Sequence, residues 1–490
     1  MALLDWLVIS AYALAVLLLG VWSAGRSNSE DEYFLAGRSE GWAPVAASTW
    51  ATKLSALTFI GVPGAAIAGN FAYMQLWLGS FLAAYVVAAY FIPEFYRLRV
   101  ATVYEYLEHR IGRGARIGAT VIFILSRCLA SAVRLAGCAI AISVFFDMPL
   151  VVSIVLMAGI AAAYVLTGGL RAVIWTDVLQ LALFLSGALA ATLFVVLSLP
   201  GGAGEVVAVG SAAQKFQVFD LRFDMADPAT FWLGNLFAFV LGLATGGADQ
   251  DIAQRALACP DATRARRAVI SAGAADLFST ALFLSVGVAV FAYYHASPDA
   301  AVTALIAEQR YDYVFPHFIR HELPAGLRGA LVAALLAAAM SSLDSALSGL
   351  ASSAYFDLGL TRTSKSETTH MPLWGPRILV VAFAAVLAGI AIVFGAQPSI
   401  LWFGLQIMGY TYGGLLGLFL LAILLPHCVS SSGSIIAATS SIAAVVVLTR
   451  WGPGFGLPSV PWPWGVIIGT AWTLAVAVTV HAAGKKSLVR

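Results

Sequence analysis

Lys53, Arg127 and Arg134 lie inside long, otherwise apolar stretches of the chain. A cation in such surroundings is costly and by default marks a functional site, because burial must be compensated by a partner or a ligand. Arg127 and Arg134 are seven residues apart, which puts them two helical turns apart on one face with Ser131 between them. An arginine offers a planar two-pronged fork to a carboxylate, whereas lysine offers a point charge whose pKa falls readily on burial. The same three cations could instead be neutralised internally by Asp177, Asp249, Asp251, Asp276 or Asp344.

A second constellation is built from small residues. Ala338, Ser341, Ser342, Ser345 and Ser348 recur at steps of three and four, so they share one helix face. Hydroxyls of this kind beside freed main-chain carbonyls suit a hard monovalent cation, which wants several oxygen ligands and little protein charge. A Ser/Ala stripe equally serves to let two helices approach.

These residues need elements to position them. With 61% hydrophobic and 11% charged residues, the 490-residue chain is too apolar for a soluble domain, and its solvent must be lipid. Apolar stretches long enough to cross a bilayer recur at Trp6 to Ala24, Trp42 to Ala68, Met74 to Tyr96, Ile117 to Phe146, Pro149 to Thr167, Ala172 to Leu199, Phe231 to Ala258, Ala268 to Tyr294, Gly329 to Tyr355, Ile378 to Phe394, Leu401 to Leu425, Ile435 to Leu448 and Trp464 to Ala482. The sequence thus predicts an all-α membrane protein with about thirteen transmembrane helices. The first is preceded by Asp5 rather than by a basic region, so it reads as a retained helix and not a cleaved signal.

Placing the N-terminus outside puts eighteen Lys and Arg in inner loops and six in outer ones, with three inside spans. That bias predicts an odd helix number with the C-terminus in the cytoplasm of a cell, here the inner (plasma) membrane. Since topology accounts for the basic residues and the net charge is only +2, no nucleic-acid partner is implied. Nor do Cys128, Cys138, Cys259 and Cys428 have a metal-site spacing. The stretches Pro200 to Thr230 and Ala296 to Arg328 read as outer loops with short surface helices.

Two spans carry Gly and Pro where lipid tolerates them only around a cavity. One runs from Ala51 to Gly64, polar at Ser55 and Thr58 and with Pro63 between two glycines; the other runs from Gly242 to Asp251 and includes Thr245. They are five spans apart, the pattern of an inverted repeat with its site at the midplane.

Several segments together resemble the sodium:solute symporter family: Asp31 to Arg38, Leu54 to Gly64, Thr102 to Leu107, Thr167 to Asp177, Asp249-Gln250 with Gln254-Arg255, and Met340-Ser341-Ser342. The resemblance implies an inverted five-plus-five core with two broken helices inside a single transmembrane domain over 1–490. Residues 6–24 would be an extra N-terminal helix, 42–167 plus 172–199 the first repeat, 231–425 the second, and 435–482 two C-terminal helices. It implies a sodium ion, Na+, held by main-chain carbonyls of Ala51, Leu54 and Ala338 with hydroxyls of Ser341 and Ser342. A possible second ion would use Asp177, Asp344 and Ser345, with Asp344 a departure from the usual hydroxyl.

In the family the substrate cavity lies between the broken helices and the fourth and eleventh spans. Lys53, Ser55, Thr58, Arg127, Arg134, Thr245 and Gln406 are the candidate substrate residues here. Sugar carriers similar to this chain have an aromatic pair before the Asp-Gln motif; Thr245, Gly246 and Gly247 stand there instead, which disfavours a stacked hexose. The expected function is sodium-coupled symport of a small, carboxylate-bearing solute by alternating access, with the lipid bilayer, the ion and the solute as partners and no obligate protein partner. Proton coupling through Lys53 is the alternative; a sensory module and an enzyme are less consistent with the chain, which shows no output domain and no clustered His, Cys or nucleophile.

Overall fold

A computed structural model describes residues 1–24, 32, 35–55, 57–165, 170–358, 374–395, 397, 399–425, 430–456 and 460–488. Of the motif stretches, Asp31, Tyr33, Phe34, Ala56 and Thr167 to Gly169, along with Cys428, lie outside the described residues. Among those residues there are helices and no strands, as expected where lipid cannot satisfy an open backbone. Nine helices are long and apolar enough to cross a bilayer, two bent pairs pass together, and Leu3–Val16 and Leu150–Ala163 are shorter apolar helices. Among the described residues that makes nine candidate spans, or eleven with each bent pair as one span, in the order the hydropathy pattern predicts. The expected short helices between spans are present as Gly202–Ala212, Ala300–Ala307 and Val314–His321. Leu189, Leu193 and Leu197, one turn apart on the sixth span (Leu170–Ser198), are exposed, a face that only lipid can cover.

The second span is broken between Trp42–Lys53 and Leu57–Ala68, bent by 61°, and the seventh between Phe231–Gly247 and Gln250–Leu257, bent by 57°. In the second span, Pro63 opens the helix Val62–Ala68 and cannot continue a preceding ladder. Gly61 is needed for close approach: a Cβ there would lie 2.8 Å from that of Leu401 at the start of the eleventh span, Ile400–Leu424. The seventh span breaks two residues later than its glycines suggest. Asp249 starts a new helix there, its carboxylate accepting from Asp251 N at 3.0 Å.

Segments that stand far apart in sequence close this second break. The Tyr104 hydroxyl donates to the Ala248 carbonyl at 3.1 Å, and Val103 N donates to the Gln250 side-chain oxygen at 2.9 Å. The short helix Val103–Arg110 therefore satisfies backbone that the break exposes. On the periphery, the first span packs Tyr12 and Val16 against Ala333 and Ala337 of the ninth span, Leu327–Asp357. Its Asp5 carboxylate accepts from Gly326 N and Gly329 N at 2.8 and 3.0 Å, capping that span's N-terminus.

Candidate ion and substrate site

The break in the second span frees carbonyls. Leu54 N still reaches Trp50 O at 3.1 Å, but Leu54 itself is extended, with ψ 123°, and Ser55 N turns to Thr58 Oγ1 at 3.4 Å instead of the Ala51 carbonyl. Ala51 and Leu54 face Ala338 and Ser341 of the ninth span across a void of about 10 Å³, which Gln180, Leu181 and Phe184 complete. That is close to the roughly 10–15 Å³ that one water needs, hence the scale of one ion. The Ser341 hydroxyl donates to Asp177 Oδ1 at 2.7 Å and that of Ser342 to Ala339 O at 3.1 Å, so both oxygens keep lone pairs for a cation. The donor set, carbonyls and hydroxyls without a carboxylate, fits a monovalent ion. Four of the five sequence-predicted ligands border this void, and Ser342 is the next residue on the stripe.

Of the candidate second-ion residues, an arginine already occupies Asp177 and Ser345. Arg255 donates from Nη2 to Asp177 Oδ2 at 3.1 Å and to Ser345 Oγ, and from Nη1 to Asp251 Oδ1 at 3.0 Å. Ser48 adds a 2.5 Å hydrogen bond to Asp177. Asp344 is buried, and its Oδ1 has no protein partner.

Beside the ion void lies a cavity of about 260 Å³. Lys53, Ser55, Thr58, Arg127, Arg134 and Thr245 line it; Gln406 does not, its amide donating to Tyr410 OH at 2.8 Å while Leu401, Leu405 and Met408 of the same helix face the cavity. Leu54 borders both the cavity and the ion void.

The three intramembrane cations differ in what they hold. Lys53 Nζ donates to Asp276 Oδ2 at 2.8 Å. Arg127 donates to Asp249 Oδ2 at 3.3 Å and to Asp251 Oδ2, and Asp249 also accepts from Tyr412 at 2.8 Å. Of the five acids that could neutralise a cation, Asp249 and Asp251, just past the 57° bend of the seventh span, thus serve Arg127. Among the described residues Arg134 has no carboxylate partner, and its Nε and Nη1 are buried without a protein acceptor. Asp276, Tyr73, Trp77 and Phe237 also line the cavity. The sequence signals only Asp276, as an acid inside an apolar span; the aromatics read there as ordinary membrane residues.

Comparison with known proteins bears on this arrangement. The chain is 30% identical over 458 residues to a sodium/sialic acid symporter of Proteus mirabilis, covering 92% of this chain and 90% of that one. It is 28% identical over 453 residues to a second sodium/sialic acid symporter, from Aliivibrio fischeri, covering 90% and 87%. Its fold superposes on the substrate-bound, outward-open structure of a Na+-coupled sialic acid symporter with a TM-score of 0.86, at 24% identity and 98% coverage of both chains. The family profile matches residues 33–439, well over half of the sequence, and the chain belongs to the sodium:solute symporter family.

Proposed function

We propose that this symporter imports a small carboxylate-bearing solute by alternating access, with sodium at Ala51, Leu54, Ala338, Ser341 and Ser342 and the solute carboxylate on Arg134. One observation carries the substrate class. Of the cavity's three cations, Arg134 alone has no carboxylate partner among the described residues, its Nε and Nη1 both buried without an acceptor, while Lys53 pairs with Asp276 and Arg127, though its Nε is unaccepted, pairs with Asp249 and Asp251. A buried guanidinium left unmatched is costly, and a bidentate carboxylate is the ligand whose geometry relieves it. The sialic acid named for the two bacterial relatives is itself a carboxylate, which supports the reading.

Coupling follows from the shared wall. Leu54 lies at the break and borders both spaces, so an ion that draws the Ala51 and Leu54 carbonyls toward the ninth span also sets the shape of the solute cavity. Each ligand then favours the conformation that binds the other, which is the thermodynamic content of symport. A second ion at Asp177, Asp344 and Ser345 would have to displace Arg255, so one sodium per cycle is the simpler reading. The protein would sit in the plasma membrane with its N-terminus outside, as one transporting domain of two five-helix repeats flanked by peripheral helices, without enzymatic activity or an obligate protein partner. The test is calorimetric binding of carboxylates to purified protein with and without sodium. Sodium-dependent binding that Arg134→Lys weakens while sodium still raises Tm supports the assignment; a neutral substrate, or wild-type affinity in that variant, overturns it.

A further inference from the structure

The Lys53–Asp276 pair differs from the other ion pairs within the bundle. Its side chains are 29% and 18% exposed, whereas those joining Arg127 and Arg255 to Asp177, Asp249 and Asp251 are 2% exposed or less. Both Lys53 and Asp276 line the 260 Å³ cavity that holds Arg134. The pair is joined by one hydrogen bond, from Nζ to Oδ2, and among the described residues no other protein group bonds to either charged end. Two N–H donors of the ammonium and the Oδ1 acceptor of the carboxylate are therefore open to the cavity. Beside them Thr49, also a lining residue, is 2% exposed, and its hydroxyl has no protein partner. A buried hydroxyl without a partner, next to a donor and an acceptor that face the same space, is what a polar ligand group would complete.

Resting on the carboxylate reading of Arg134, we propose that Lys53, Asp276 and Thr49 form a second polar subsite that selects solutes carrying a neutral group able to both donate and accept a hydrogen bond, a hydroxyl or an amide, away from the carboxylate. Charge excludes the other classes. Because Lys53 and Asp276 sum to zero net charge, a solute ammonium or a second carboxylate meets its like charge as closely as its opposite, and the pair does not repay the desolvation of either ion. An alkyl end would leave all three polar groups unmatched, and a site built for a hydroxyl rejects the analogue that lacks it. A hydroxyl can accept from Lys53 or Thr49 while donating to Asp276.

Four probes of one chain length isolate the end group: hexanoate, 6-hydroxyhexanoate, 6-aminohexanoate and adipate, titrated by calorimetry into the wild-type protein in saturating sodium. The expected result is that 6-hydroxyhexanoate binds roughly 10- to 100-fold more tightly than the other three, the range for hydrogen bonds to charged groups. In the double variant Lys53→Met/Asp276→Leu, which strands no charge, that preference should fall to within about threefold, hexanoate binding more tightly than to the wild type because its alkyl end no longer leaves the pair unmatched, while the sodium-induced rise in Tm persists. Wild-type protein that binds hexanoate as well as the hydroxy acid, or prefers the amino acid or the diacid, overturns the inference without any variant. So does a hydroxyl preference that survives the double replacement. If no carboxylate binds at all, sialic acid and gluconate included, the reading of Arg134 fails and takes this inference with it; carboxylate binding that ignores the distal group overturns the subsite alone.

Discussion

Arg127 donates to Asp251 across the break of the seventh span, and the tie separates this arginine from Arg134 seven residues later on the same helix. The first closes a buried charge network. The second faces the same cavity with no acid beside it.

Substitutions at the two positions should therefore fail in different ways. Arg127→Met leaves Asp249 and Asp251 short of a partner in the bundle, and stranding buried charge costs about 3–5 kcal/mol, so the sodium-free Tm should drop sharply. Arg134→Met removes a cation with no protein partner, so Tm should hold or rise while solute binding is lost. Thermal unfolding in detergent beside a binding titration checks both, and equal destabilisation by the two variants would show that Arg134 is a structural residue.

The ion void predicts the behaviour of its hydroxyls. Ser341→Ala with Ser342→Ala removes two of the five proposed oxygen ligands, and sodium affinity should fall by at least the roughly 10- to 100-fold that loss of even an outer partner costs a metal site. Asp177 keeps Ser48 and Arg255, so the fold should survive. The sodium dependence of Tm reads the affinity; an unaltered midpoint would remove these serines from the site.

Lys53 also bears on the coupling ion. Its ammonium donates to Asp276 Oδ2 at 2.8 Å, so an internal ion pair accounts for the cation without a proton-carrying role. Uptake into proteoliposomes should run on an inward sodium gradient and be absent on a proton gradient alone. Transport driven by pH without sodium would restore the proton-coupled alternative.

A pH effect is expected from the connection between the eighth span (Ala262–Ala296) and the ninth. There Asp312 is 2% exposed, accepts from Ile400 N at 2.6 Å and lies against Gly64, where a Cβ would come within 2.8 Å of its Oδ1. Burial pushes its carboxyl up from 3.8 to about 7, outweighing the Ile400 N–H, which favours the ionised form. An acid whose pKa is raised on folding binds its proton more tightly in the native state. Its contribution to stability therefore declines as pH rises from about 4 to about 7 and is level above that. Asp312→Asn can keep the bond to Ile400 but cannot ionise, so its Tm relative to wild type should be higher at pH 8 than at pH 5. The same difference at both pH values would show that Asp312 does not titrate in this range.

Much of this protein is decided by local sequence. The helical spans follow from apolar runs, because a backbone in lipid has to satisfy its own hydrogen bonds and a helix does so within one segment. That the second span is interrupted is legible from Pro63 between Gly61 and Gly64, but the bend itself falls earlier, between Lys53 and Leu57, where the sequence shows neither Gly nor Pro. The Ser341 and Ser342 stripe is visible because a helix brings steps of three and four to one face. Pairing among charges is different. Lys53, Arg127 and Arg134 look alike in the sequence, as do the five acids that could neutralise them. Which cation meets which carboxylate depends on side chains from spans more than a hundred residues apart and on the 57° bend that turns Asp249 and Asp251 inward. The tertiary structure alone gives Asp276 to Lys53 and leaves Arg134 without an acid, because Coulomb energy and desolvation depend on distances in space that no spacing along the chain encodes.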